Sequence, residues 1–193
     1  MDKKQVLYKF LNLFRDVSEA DFTVISEFIH IKRFTEGAVL LEQGKVAREV
    51  FFVVDGVLKI ISTNEQGKEV VHFLVKENKF CTILYSFLEG EISRESILTS
   101  IDTELLVLSK HDLDILYKRL PYFEALIQGI MQRTLLDKIQ VRNALMGQDA
   151  TARYLKFITQ NPDIVLRIPL SDVASYLGIT QQSLSRIRRE IKL

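Results

Sequence analysis

The chain has 193 residues, 47% of them hydrophobic and 26% charged, with a formal net charge of +1. No apolar run approaches the roughly 18 residues that cross a bilayer, so a helical membrane span is excluded, while the length allows two compact units. A single cysteine, Cys81, excludes an internal disulfide framework, and Met1-Asp-Lys-Lys-Gln lacks the apolar stretch of a signal peptide; both fit a cytoplasmic protein with no membrane partner.

Helical spacing comes first, from about Lys3 to His30. Leu7, Phe10, Leu11 and Phe14 share one face, and Ser18 begins a second short helix carrying Phe22, Ile25 and Phe28. From Ile31 to Leu108 the apolar residues fall in short β-rich runs: Val39–Leu41, Val50–Val54, Val57–Ile61, Val70–Leu74 and Leu105–Leu108. Turn signals at Glu36-Gly37, Gln43-Gly44, Asp55-Gly56 and Gln66-Gly67 separate them. Asp55-Gly56 between two apolar runs predicts a type I′ hairpin with positive φ at both residues. Regularly spaced short strands predict a small antiparallel barrel or roll.

Helical spacing returns at Ser109-Lys-His-Asp with Leu113 and Leu116, and Pro121 opens a longer helix to about Met146. Along it Phe123, Ile127, Ile130, Thr134 and Val141 form a wide stripe. One side of such a stripe can lie on the roll while the other meets the same helix of a second subunit; burial within one chain is the plainer reading. Gly147 serves as a hinge, Asp149 caps a helix from Thr151 to Thr159, and Asn161-Pro162-Asp163 makes a turn.

The segment Ile168–Ile191 reads as a helix-turn-helix. Pro169 blocks a helix arriving from upstream, Ser171 is a candidate N-cap, and Val173, Ala174 and Leu177 give the first helix its apolar face. Gly178 supplies the left-handed residue that ends it. Thr180 caps the second helix, with Ile179 and Leu184 placed as a hydrophobic staple. At about 100° per residue, Leu184, Ile187 and Ile191 fall on one side, and Gln182, Ser185, Arg186 and Arg189 on the other. Gln can pair bidentately with adenine and Arg with guanine in a major groove; an ordinary surface helix is the bland alternative. From Gln148 onward there are seven Lys/Arg against four acids, so positive charge concentrates where this motif sits.

Taken together, these parts resemble the Crp/Fnr family of bacterial transcription regulators along nearly the whole chain. The resemblance rests on Gly37, Glu42-Gln43-Gly44, Phe51–Gly56, Asp149–Arg153 and Ser171–Ile191. It implies an α+β protein: an N-terminal antiparallel double-stranded β-roll of the cyclic-nucleotide-binding kind over residues 1–120, a dimerisation helix and hinge over 121–147, and a helix-turn-helix domain over 148–193. It implies double-stranded DNA and a second copy of the chain as partners, with RNA polymerase as a further one. By the family pattern Gln181, Gln182, Ser185 and Arg186 contact bases, while Thr180 and Arg189 suit phosphate.

The sequence also departs from that pattern. Relatives that bind cyclic nucleotides carry a Gly-Glu pair after the Phe matching Phe80, and an Arg-Ser or Arg-Thr pair about a dozen residues on. Here Cys81-Thr82 follows Phe80, Arg94 is followed by Glu95, and Lys138-Ile139 replaces the Thr-Ser pair that meets adenine. Cyclic AMP is therefore not expected to bind, and no cofactor is expected. Any other effector in the roll would meet Thr82, Tyr85, Arg94 and Lys138; pairing of Arg94 with Glu89, Glu91 or Glu95 is the competing reading. One cysteine cannot hold an iron–sulfur cluster, no two of His30, His72 and His111 have zinc spacing, and Cys81 between apolar neighbours reads as an inert, partly buried thiol. The family's β-hairpin wing does not follow Ile191 in this sequence, so backbone contact is expected to rest on helix N-termini and on Arg188, Arg189 and Lys192. The leading expectation is a dimeric regulator on an inverted repeat. A non-DNA module binding a small molecule in the roll is the alternative, and an enzyme is disfavoured because no nucleophile elbow, phosphate loop or metal-spaced cluster is present.

Overall fold

The computed structural model of the protein describes residues 3–64, 67–145 and 147–191; Met1, Asp2, Gln66, Met146 and Lys192, named above, lie outside the described residues. Two short helices come first, α1 (Lys4–Leu11) and α2 (Glu19–Glu27). Leu7 and Leu11, one turn apart, bury one face of α1, and the Ser18 hydroxyl caps α2 by accepting from the Asp21 N–H.

Eight strands follow among the described residues: β1 (His30–Phe34), β2 (Val39–Leu41), β3 (Glu49–Asp55), β4 (Leu58–Thr63), β5 (Glu69–Val75), β6 (Phe80–Cys81), β7 (Ser96–Thr99) and β8 (Thr103–Ser109). They form two four-stranded antiparallel sheets, ordered β1-β8-β3-β6 and β2-β7-β4-β5. The expected roll is therefore present, with β1, β6 and β7 added to the strands read from sequence. A six-residue helix α3 (Leu84–Glu89) lies between β6 and β7.

The expected hairpin at Asp55-Gly56 is not there. β3 pairs with β8 and β6, whereas β4 pairs with β5 and β7, so these two residues carry the chain from one sheet to the other. Only Gly56 has positive φ, at 105°; among the described residues Asn78 is the one non-glycine with positive φ, so a type I′ turn is ruled out. A register shift between Val53 and Asp55 bends β3 at this corner. Glycine is needed because a Cβ here would lie 2.4 Å from Thr103 Oγ1 and 2.7 Å from the Asp102 carbonyl oxygen.

Helix α4 (Lys110–Arg119) is capped by the Ser109 hydroxyl, which accepts from the Asp112 N–H, and buries Leu113 and Leu116. Helix α5 (Phe123–Leu145) begins two residues after Pro121. Its first half packs into the main core through Phe123, Leu126, Ile127 and Ile130. Then come α6 (Ala150–Gln160), capped by Asp149, α7 (Leu170–Tyr176) and α8 (Gln181–Glu190). A second core joins Tyr154, Phe157, Ile164, Val173, Leu177, Leu184 and Ile187, and the roll contributes Val57 to it from the sheet-to-sheet corner. No helix of the described residues is long and apolar enough to cross a membrane.

Candidate nucleic-acid interface

Helices α7 and α8 are joined by a turn whose geometry follows from three residues. The Gly178 N–H donates to the Ser175 carbonyl and the Ile179 N–H to the Ala174 carbonyl, each at 3.0 Å, which is a Schellman ending. Gly178 takes φ +67°, a conformation that strains any residue with a Cβ. Thr180 then starts α8 by accepting from the Ser183 N–H at 3.1 Å. Ser171 does not cap α7. The helix begins earlier, because the Pro169 carbonyl accepts from the Asp172 and Val173 N–H groups and the chain is already turning at Leu170.

Leu184 and Ile187 are buried against Val173, Ala174 and Leu177, which fixes how α8 is rotated. That rotation leaves Thr180, Gln181, Gln182, Arg186 and Arg189 exposed and Ser185 half-buried. The hydroxyl of Thr180 is committed to its cap, and Arg189 Nε donates to the Ser185 carbonyl at 3.4 Å. None of these side chains is ion-paired to an acid among the described residues, so the guanidinium groups on this face are available to an anionic partner.

The helix pair is held on the roll by polar contacts that the sequence did not reveal. Asp172, buried on α7, receives Lys59 Nζ of β4 at 2.9 Å and the Ser100 hydroxyl at 2.6 Å. The Val71 N–H of β5 donates to Ser175 Oγ at 2.9 Å. Arg167 reaches Glu77 at 2.7 Å and Asp55 at 3.3 Å. Burial pushes the Glu77 carboxyl up, but the bond from Arg167, with backbone donors including the Gly56 N–H, outweighs it and holds the group below its ordinary range. These partners lie tens to over a hundred residues apart in sequence, so no local pattern announces them.

The roll encloses a cavity of about 330 Å³ between its sheets, the N-terminal helices and α5. Thr82, Tyr85 and Lys138 line it, as do Glu95, read from the sequence only as a neighbour of Arg94, and Arg142. Arg94 does not line it. Its side chain is exposed, its backbone N–H donates to the Tyr85 hydroxyl at 2.7 Å, and it forms no ion pair with Glu89, Glu91 or Glu95. The Thr82 hydroxyl is occupied with the Glu49 carbonyl at 3.0 Å. Lys138 Nζ sits 4.6 Å above the Phe73 ring. Cys81 is fully buried, and burial pushes its thiol up to about 12. Among the described residues no group of three His, Cys, Asp or Glu is placed to hold a metal ion.

The stripe expected to face a second subunit divides differently. Phe123, Ile127 and Ile130 are buried in the chain's own core, because the first half of α5 must cover the open side of the roll. Thr134 is half-buried and donates its hydroxyl to the Ile130 carbonyl; Val141 is exposed. The apolar residues left uncovered are Leu135, Leu136, Ile139 and Val141 in the second half.

Residues 31–119 match the cyclic nucleotide-binding domain family. Those residues run from β1 through α4, the stretch that holds the eight strands. The cyclic AMP receptor protein of Thermus thermophilus is 22% identical over 179 residues, covering 91% of this chain and 82% of the relative. Among solved structures, the c-di-GMP-responsive global regulator CLP of Xanthomonas campestris superimposes with a TM-score of 0.70 at 16% identity, covering 91% of this chain and 92% of that one. FixK2 of Bradyrhizobium japonicum gives 0.73 at 15% identity, over 85% of this chain and 84% of that one. At such identities the structural likeness establishes the shared fold, roll and C-terminal helices together.

Proposed function

We propose that this protein is a non-enzymatic, cytoplasmic transcription regulator that binds DNA as a homodimer on an inverted repeat. The observation that carries the reading is the rotation of α8: its greasy side is buried, and its other side offers Gln181, Gln182, Ser185, Arg186 and Arg189, none ion-paired to an acid among the described residues. Gln182 and Arg186, one turn apart, suit base edges, while the N-terminus of α8 at Thr180 and the Arg189 guanidinium suit phosphates. The uncovered Leu135, Leu136 and Ile139 of α5, within about 100° of one another around the helix, supply the face on which a second copy pairs. Two α8 helices would then enter successive major grooves about 34 Å apart.

The same reading holds that cyclic AMP is not the signal. A buried Cys81 and a Thr82 already bonded to the backbone stand where a carboxylate would take the ribose, and the exposed Arg94 does not line the cavity. Selection from random DNA tests the proposal. An inverted repeat is expected, and Arg186→Ala should weaken that site by about 1–3 kcal/mol with the fold intact. Recovery of no two-fold motif would overturn it.

A further inference from the structure

The lining of the roll's cavity indicates what kind of molecule belongs there. Its depth is formed by apolar side chains from every surrounding element, Phe52, Ile60 and Leu108 of the strands among them. Its charged lining groups lie toward solvent: Arg142 is exposed and Lys138 and Glu95 are half-buried, with Lys138 and Arg142 one turn apart on α5. Neither cation has a carboxylate within 4.0 Å among the described residues; Lys138 rests on the Phe73 ring instead. Two cations against one acid leave a single positive charge at the mouth of an otherwise greasy chamber.

We propose that the cavity binds a small amphiphilic monocarboxylate, its hydrocarbon body in the apolar depth and its carboxylate against Lys138 and Arg142. The assignment rests on the roll being the effector domain of a regulator. A single carboxylate neutralises the excess charge, and the apolar walls replace water around the hydrocarbon. The cavity volume of about 330 Å³ is on the scale of a medium-chain fatty acid or a compact aromatic acid. A ribose and a nucleobase, by contrast, would bring hydroxyls and ring nitrogens into a chamber with few side chains to receive them.

Isothermal titration of the full chain with octanoate, octanamide and cyclic AMP tests this. Octanoate is expected to bind one per chain with a Kd of about 100 µM or tighter. Octanamide, which has the same body without the charge, should bind about tenfold more weakly. Lys138→Gln, at a half-buried position outside the hydrophobic core, should erase that difference, weakening octanoate about tenfold and octanamide hardly at all. Thr134→Trp, which fills the chamber from α5, should abolish binding of both while circular dichroism stays unchanged. No octanoate binding at 5 mM, which is about fifty times the expected Kd, would overturn the proposal. So would unchanged octanoate affinity in either variant, or cyclic AMP displacing octanoate with higher affinity. DNA selection on the same preparation reads the regulator assignment separately: an inverted repeat recovered without octanoate binding removes only the ligand class.

Discussion

The bond between Lys59 and Asp172 is the sharpest place to test how the helix-turn-helix is fixed to the roll. Lys59→Met and Asp172→Asn, singly and together, form a double-mutant cycle; Asn keeps an acceptor for the Ser100 hydroxyl, so the cycle isolates the ion pair. The two side chains are only 16% and 8% exposed and meet at 2.9 Å. At an effective dielectric of about 20 their gross attraction is about 6 kcal/mol, and withdrawing both charges from water consumes more than half of it. A coupling of about 1.5–3 kcal/mol should remain, the range of a charge-assisted bond. Urea unfolding of the four proteins measures it. Lys59→Met alone should cost more than Asp172→Asn alone, because it leaves the more buried of the two charges, the Asp172 carboxylate, without its counter-charge. A coupling below about 0.5 kcal/mol, the value of an exposed pair, would refute the claim that this contact latches α7 to β4.

Three further outcomes follow from the geometry. Gly56→Ala should cost about 3–5 kcal/mol in urea unfolding, from a left-handed backbone and overlap with Thr103 together; a loss under about 1 kcal/mol would show that the sheet-to-sheet corner relaxes freely. The Glu77 carboxyl, held below its ordinary range, stabilises the interface above its unfolded pKa of about 4.5 and loses that contribution as pH falls through its folded value. Protection against hydrogen exchange in α6–α8, taken relative to the intrinsic rate at each pH, should therefore fall in acid, and Glu77→Gln should remove part of that dependence. The Cys81 thiol, pushed up to about 12 and fully buried, should resist a disulfide reagent at pH 8 in the native protein and react on unfolding.

What was legible in the sequence is mostly what is local. Ser18, Ser109, Asp149 and Thr180 each cap the helix read from their spacing, because a capping side chain acts within three residues of itself. Ser171 misled because Pro169 supplied the first turn with its carbonyl instead. Strand β1 was hidden because its residues are mostly exposed at a sheet edge and show no apolar alternation. Asp55-Gly56 has the composition of a hairpin, yet which sheet each flanking strand joins is decided by partners far along the chain. The stripe on α5 was visible, but periodicity alone could not say that Phe123, Ile127 and Ile130 turn inward while Leu135, Leu136 and Ile139 do not. At the cavity the sequence found Thr82, Tyr85 and Lys138, read Glu95 only as a neighbour of Arg94, missed Arg142, and counted Arg94, which does not line the cavity.

The regulator reading depends on two copies of α8 presenting their Gln/Ser/Arg side to one DNA duplex. Hydroxyl-radical footprinting of a selected site tests this most directly. Two protected patches centred about one helical turn apart, related by two-fold symmetry and both lost in Arg186→Ala, are the predicted result. A single patch, or protection that survives that substitution unchanged, would contradict it.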